Sequence, residues 1–355
     1  MTLVAGMVVA VAAVSGGQLT EGPVMAGNGA AWAEHMRGGA IRLLTRDQGG
    51  KTVVRRRWAA PGSRTDRDVW SLAADGRRVA AVVGTCTRSG GYTLSPCSAR
   101  AFSGPFGRIE GPRLPKRVTR SCRGRSRNVA EVAVGGGWTA MLVERFCPGL
   151  GIESAVRRRI EVRGPLPRTI PLAHGGVLRL AGDYLTWRDF KGGAVLYDLR
   201  RGERVLRLGA RRGPIVGHDV QADGTLALTR HTRDGRLCVS TVTPAGTEHR
   251  LECRFEDVYQ PVDNVGGMPR LPVEGRTTEL AISAGRVLYV RFGTELVLQG
   301  PDGVPRRIAR FSARRERVGS FGLGPHGAVY AVQRYRFTGG GRRSVGRERV
   351  VLERL

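Results

Sequence analysis

Glu131 and Asp219 each stand five residues before a glycine that closes an apolar stretch, Gly136 and Gly224 respectively. His218 and Glu279 stand six before theirs, Gly224 and Gly285. Carboxylates brought together with an imidazole can move protons as general acid and base, or hold a hard cation through their oxygens. Such a set would suit an enzyme acting on carbohydrate or a related polymer. The competing expectation is a wet surface on which these acids pair with arginines. Other chemistry has little support. The chain has no C-x-x-C, no P-loop, no H-E-x-x-H and no G-x-S-x-G. Gly322, Gly324 and Gly327 fit G-x-G-x-x-G, but Ala328 to Gln333 reads as a strand where a dinucleotide loop needs a helix. No cofactor and no metal are expected.

The shared offsets point to the elements that carry these residues. Seven times the chain repeats one phrase, an apolar stretch, a Gly turn and a second apolar stretch: VMAGNGAAWAEH, SLAADGRRVAAVV, VAVGGGWTAMLV, LRLAGDYLTWRD, DVQADGTLALTRH, AISAGRVLYVRF and FGLGPHGAVYAV. Recurrence every 40 to 60 residues or so marks a repeat architecture. The fourth copy reads as four strands, Val177–Leu180, Tyr184–Trp187, Ala194–Leu199 and Arg204–Leu208. Asp-Gly between alternating strands is a strong hairpin signal, and no segment keeps a helical period. Four-stranded meanders set around an axis are the blades of a β-propeller. The fold expected is all-β: a single propeller over residues 21–355 with four-stranded antiparallel blades. Seven blades begin near Pro23, Asp68, Asn128, Val177, Ile215, Thr277 and Val318, and six or eight would also fit. First strands line the central channel, which puts Glu131, His218, Asp219 and Glu279 at its mouth. Trp32 and Trp187, five residues after Gly27 and Gly182, fall inside second strands and are expected to pack between blades.

From about Pro23 to Leu355, these units and their Asp-Gly or Ala-Gly hairpins resemble the broad WD-repeat-like superfamily of β-propellers. No Trp-Asp pair occurs, so the Gly-His to Trp-Asp repeat of that superfamily is missing, as are kelch and Asp-box marks. The resemblance implies an architecture and, by analogy, a binding platform.

The charge is large: 58 Lys and Arg against 30 Asp and Glu, a formal +28. All but Lys51, Lys116 and Lys191 of the basic residues are arginine. That skew beside abundant Ala, Gly and Val fits codon bias, and a basic surface will in any case hold polyanions nonspecifically at low salt. The segment Arg113 to Arg127, RLPKRVTRSCRGRSR, concentrates it, with Arg117, Arg120, Arg123, Arg125 and Arg127 as candidate binding residues.

Six cysteines phase against the blades. A turn at Ala245-Gly246 sets Cys238 opposite Cys253; Cys86 and Cys97 flank a loop of blade two, and Cys122 and Cys147 bracket strands of blade three. All fall on the face that carries the second-to-third loops and the links between blades. Three disulfides there would staple long loops and imply an oxidising compartment. The same face carries the basic segment and the long insertion Glu256 to Arg276, and such loops on a rigid scaffold are where function concentrates.

Leu3 to Val14, LVAGMVVAVAAV, is too short to span a membrane and suits the core of a signal peptide, though no basic residue precedes Arg37. Blade seven, in turn, lacks a fourth strand, and Leu3 to Thr20 is the spare apolar stretch that could close the ring. Residues 1–20 are thus a signal peptide or a ring-closing strand. The function expected is a non-catalytic, exported or cell-surface platform, monomeric and without a transmembrane segment. Its partner is an unknown protein or a polyanionic cell-envelope ligand. The alternatives are the channel-mouth enzyme and a polyanion binder.

Overall fold

The computed structural model describes residues 10–14, 18–62, 65–76, 78–89, 92–105, 126–146, 155–172, 175–189, 191–255, 279–312, 315–338, 341–344 and 348–355. They form seven antiparallel sheets. Blade one is β2 (Gln18–Ala26), β3 (Gly29–His35), β4 (Ile41–Arg46) and β5 (Thr52–Trp58); blade two is β6 (Thr65–Ala74), β7 (Arg78–Ser89) and β8 (Tyr92–Pro105). Blade three is β9 (Ser126–Gly135), β10 (Trp138–Phe146), β11 (Ala155–Arg163) and β12 (Arg168–Leu172); blade four is β13 (Gly176–Ala181), β14 (Tyr184–Arg188), β15 (Ala194–Asp198) and β16 (Glu203–Leu208). Blade five is β17 (Ile215–Val220), β18 (Leu226–His231), β19 (Arg236–Val242) and β20 (Glu248–Phe255); blade six is β21 (Leu280–Ser283), β22 (Arg286–Arg291), β23 (Glu295–Gln299) and β24 (Pro305–Arg310). Blade seven is β25 (Glu316–Gly324), β26 (Gly327–Thr338), a short β27 (Gly341–Ser344) on the end of β26, and β28 (Arg349–Arg354).

The outermost strand of blade seven comes from the other end of the chain. β1 (Ala10–Val14) pairs antiparallel with β28, from Ala10 opposite Glu353 to Val14 opposite Arg349. The first strands touch in cyclic order, β2, β6, β9, β13, β17, β21, β25 and back to β2, so the ring is closed. Its core lies between blades rather than within them. Each of seven apolar clusters draws on two neighbours, and the last sets Ala30, Trp32 and Leu44 of blade one against Val329, Val350 and Leu352 of blade seven. Trp187 fills the equivalent place between blades three and four, with Leu142, Ile160 and Leu185. Both tryptophans are buried, as their positions within second strands predict.

The recurring glycine does two jobs. Gly136 and Gly182 open the first hairpins of blades three and four at φ +55°, where a Cβ is strained. They also touch: a Cβ on Gly136 would lie 2.1 Å from the carbonyl oxygen of Gly182. The hairpins crowd against one another around the axis, and only backbone fits between them. Links between blades and second-to-third loops share one face of the disc, here the link face. The first-to-second and third-to-fourth hairpins share the other, the turn face. No helix among the described residues is long and apolar enough to cross a membrane.

Candidate functional site: the central channel

First strands from all seven blades enclose a channel of about 990 Å³. Glu131, Asp219 and Glu279 line it, together with Glu21, Trp70, Ser71 and Arg179.

The geometry of Glu131 follows from a bulge in the next first strand. In blade four the register slips between Gly176 and Arg179, and Val177 takes φ +60°. The bulge turns two amides out of the ladder toward blade three. Glu131 receives both: Val177 N donates to Oε1 at 2.9 Å and Leu178 N to Oε2 at 2.7 Å. Asp219 accepts a single amide between blades five and six, Ile282 N at 2.9 Å on Oδ2, from a first strand whose register is regular. Burial pushes its carboxyl above the usual range, against the pull of Arg179 and of the Ile282 and Val220 amides. Ser71, which also stands five residues before its hairpin glycine, accepts from Val132 N at 3.2 Å across blades two and three. One offset thus carries one task in three blades, the capture of a neighbour's backbone N–H.

His218 is on β17 next to Asp219, so the two side chains leave the strand on opposite faces and form no dyad. The ring is buried toward blade four, near the carbonyls of Val177 and Thr186. Burial, then Arg179 and Arg188, hold its pKa well below the ordinary value, so it is neutral at pH 7. Arg188 donates to the carbonyl of Val216. Its pKa is lowered by burial and by Arg179, and Glu131 and Glu279 oppose this. The four candidates therefore do share one neighbourhood, tied together by Arg179 and Arg188. Neither arginine stands out in the sequence, because nothing marks two among so many. No group of three His, Cys, Asp or Glu able to hold a metal occurs among the described residues.

Trp70 is a wall residue that the acid offsets do not predict. It lies where β6 slips register between Val69 and Ser71, and it is 39% exposed on the channel wall, whereas the other four tryptophans are all buried. Its indole lies flat on Gly84, where a Cβ would stand 2.0 Å from Cε2. The sequence does carry a signal for it: Trp70 immediately precedes Ser71, whose offset from its glycine is that of the acids.

On the link face, Cys238 and Cys253 are directly opposed on β19 and β20, Cα atoms 4.1 Å apart and sulfurs 1.98 Å apart. The route to this register differs from a two-residue turn. Val242 pairs with Glu248 around a wider loop, and a bulge beyond Ser240 restores the pairing. Cys86 lies on β7 and Cys97 on β8, beside a register slip between Thr85 and Thr87. Cys122, Cys147, Arg117, Arg120, Arg123, Arg125 and the insertion Glu256 to Arg276 lie outside the described residues. Arg127 is on β9, described in its backbone alone.

The architecture is that of a β-propeller. The chain is similar to the β-propeller domain of Cps50 (Swd1) from Myceliophteria thermophila, with 14% identity and a TM-score of 0.49 over 96% of this chain and 98% of that one. It is also similar to the WD40 domain of Toxoplasma gondii coronin, with 10% identity and a TM-score of 0.48 over 98% and 86%. No protein-family model matches the chain, and no curated protein matches it.

Proposed function

We propose that the protein is a binding platform without chemistry of its own, which engages a protein partner at the channel through Trp70. The observation that carries this reading is the contrast along one wall. Glu131 spends both oxygens, and Asp219 one, on amides of neighbouring blades. Trp70, in the adjoining blade, is held on Gly84 with over a third of its surface open. An aromatic side chain fixed on a rigid ring offers large contact area at little entropic cost, the usual anchor of an interface. The opposed Cys238 and Cys253 support action outside the cytosol, where a disulfide persists.

Because Trp70 is the one exposed tryptophan of five, acrylamide quenching of indole fluorescence reports on it directly. Proteins retained by the wild type from an extract of its source should be lost on Trp70→Ala, and each, once purified, should protect the wild type from quenching. An unchanged retained set, together with unchanged quenching, would refute the reading. Turnover of a glycan by the wild type that disappears in both Glu131→Gln and Asp219→Asn would replace it with the enzyme.

A further inference from the structure

Each face of the disc carries arginines that meet carboxylates and exposed arginines that meet none among the described residues, and the link face carries six of the latter. On the turn face, arginines at the hairpins meet carboxylates: Arg78 and Asp75 at 2.8 Å, Arg200 and Asp183 at 3.1 Å, Arg201 and Asp198 at 3.7 Å. On the link face, Arg37 is in the loop from β3 to β4, Arg57 at the end of β5, Arg211 in the link between blades four and five, and Arg233 in the loop from β18 to β19. Arg310 ends β24, and Arg315 is in the link that follows. All six are exposed, and none has a hydrogen bond, ion pair or aromatic contact from its side chain to a described residue. The described carboxylates of that face are already engaged. Asp234 holds Arg236, Asp189 holds the Gly193 amide and Arg207, and Glu316 holds Arg334 and Arg349.

We propose that the link face binds a phosphate-backbone polymer through these arginines. The planar guanidinium matches phosphate oxygens in paired hydrogen bonds, and six of them here have no partner among the described residues. Their placement selects the size of the ligand. They are spread over blade one, the link from blade four to five, blade five and the link from blade six to seven, so they cannot converge on one small anion. A chain of repeating phosphates lying across the face can meet several at once and releases counterions at each meeting point. This inference is independent of the partner at Trp70.

The probes are a mixed-sequence DNA duplex and linear polyphosphate, which share the repeating phosphate and differ in everything else. Two triple variants remove the same charge. Arg211→Gln, Arg233→Gln and Arg310→Gln alter the link face. Arg163→Gln, Arg204→Gln and Arg306→Gln alter exposed turn-face and rim arginines, which also lack hydrogen bonds and ion pairs among the described residues. Matching urea midpoints for all three proteins establish equal folding. The link-face variant should bind duplex about tenfold or more weakly at low salt, and its slope of log affinity against log salt should flatten by roughly 2 to 3, near 0.9 for each phosphate no longer neutralised. The turn-face variant should keep both within a small fraction of that change, and polyphosphate should displace the duplex. Equal losses in the two variants would reduce the effect to net charge and overturn the proposal. Absence of binding by the wild type, or failure of polyphosphate to compete, would overturn it too. Trp70→Ala should leave this binding unchanged, which separates its failure from that of the protein partner.

Discussion

Replacing Glu131 with alanine is the sharpest way to ask whether the channel acids are structural or chemical. The carboxylate accepts two amide hydrogens, at 2.9 and 2.7 Å, from a bulge in the next blade. Those amides project out of the β13 ladder, where the register skips from Gly176 to Arg179, so strand pairing does not recover them. Leaving a buried donor unpaired costs about 1–3 kcal/mol, and hydrogen bonds to a charged acceptor lie toward the upper end. Part of the site is open to water from the channel, which lowers the total to about 2–4 kcal/mol for the pair. For 355 residues the unfolding entropy is roughly 0.7 kcal/mol per degree, so about 3 kcal/mol corresponds to a fall in Tm near 4 °C. Glu131→Gln retains one acceptor oxygen and turns an NH2 toward the second amide, so it should lose about half as much. Urea titration measures both, with an unchanged m value showing that the native fold is retained. A Glu131→Ala protein within about 0.5 kcal/mol of wild type would refute the clamp and leave the carboxylate free for catalysis.

Three further outcomes are expected. Gly136→Ala should destabilise by well over the roughly 1 kcal/mol of a strained φ, because its Cβ meets the Gly182 carbonyl, whereas Gly137→Ala, at φ +89° with nothing within 4 Å, should lose only the strain; equal losses in urea would show that the hairpins do not crowd. His218 has a folded pKa well below its unfolded value, so its contribution is present above about pH 6.5 and is lost as pH falls, by up to roughly 1.4 kcal/mol per unit; His218→Leu should flatten the stability profile between pH 7 and pH 5, and an unaltered profile would contradict the buried neutral ring. Deleting residues 1–16 strips β1 from β28 and exposes a strand edge, so the truncated protein should associate and unfold at lower urea by light scattering and fluorescence; full stability as a monomer would make β1 dispensable and would suit removal of the segment as a leader.

The fold was legible because the phrase that encodes it is local. Each first hairpin joins two short apolar strands, five of the seven through a glycine at positive φ (Gly27, Gly136, Gly182, Gly224 and Gly285), and all seven first strands begin close to where the repeat places them. The pairing of β1 with β28 was visible only as a deficit, since a strand from the opposite end of the chain has no local signature. Positions Trp32 and Trp187 could be read because burial between blades follows from the offset alone. Arg179 and Arg188 could not, because their importance comes from proximity to His218 and Glu131, and proximity across blades is not periodic.

The position five residues before the hairpin glycine shows how a repeat separates structure from function. Where the fold needs a bond to the next blade, that position carries a side-chain acceptor, Ser71, Glu131 or Asp219. In blade four it carries Val177, which supplies instead the amide that Glu131 receives. The same offset thus accepts in blades two, three and five and donates in blade four, and the chemistry of the residue follows from its role in the lattice. Acids at repeated offsets look catalytic when read singly; read against their equivalents in the other blades, they are joints. Residues outside this logic are the ones left to meet a ligand. Trp70 makes no inter-blade bond among the described residues yet is held in a bulge, and the six link-face arginines meet no carboxylate among the described residues. In a ring whose polar side chains are largely spent holding it together, the unspent ones mark where a partner must supply what the fold does not.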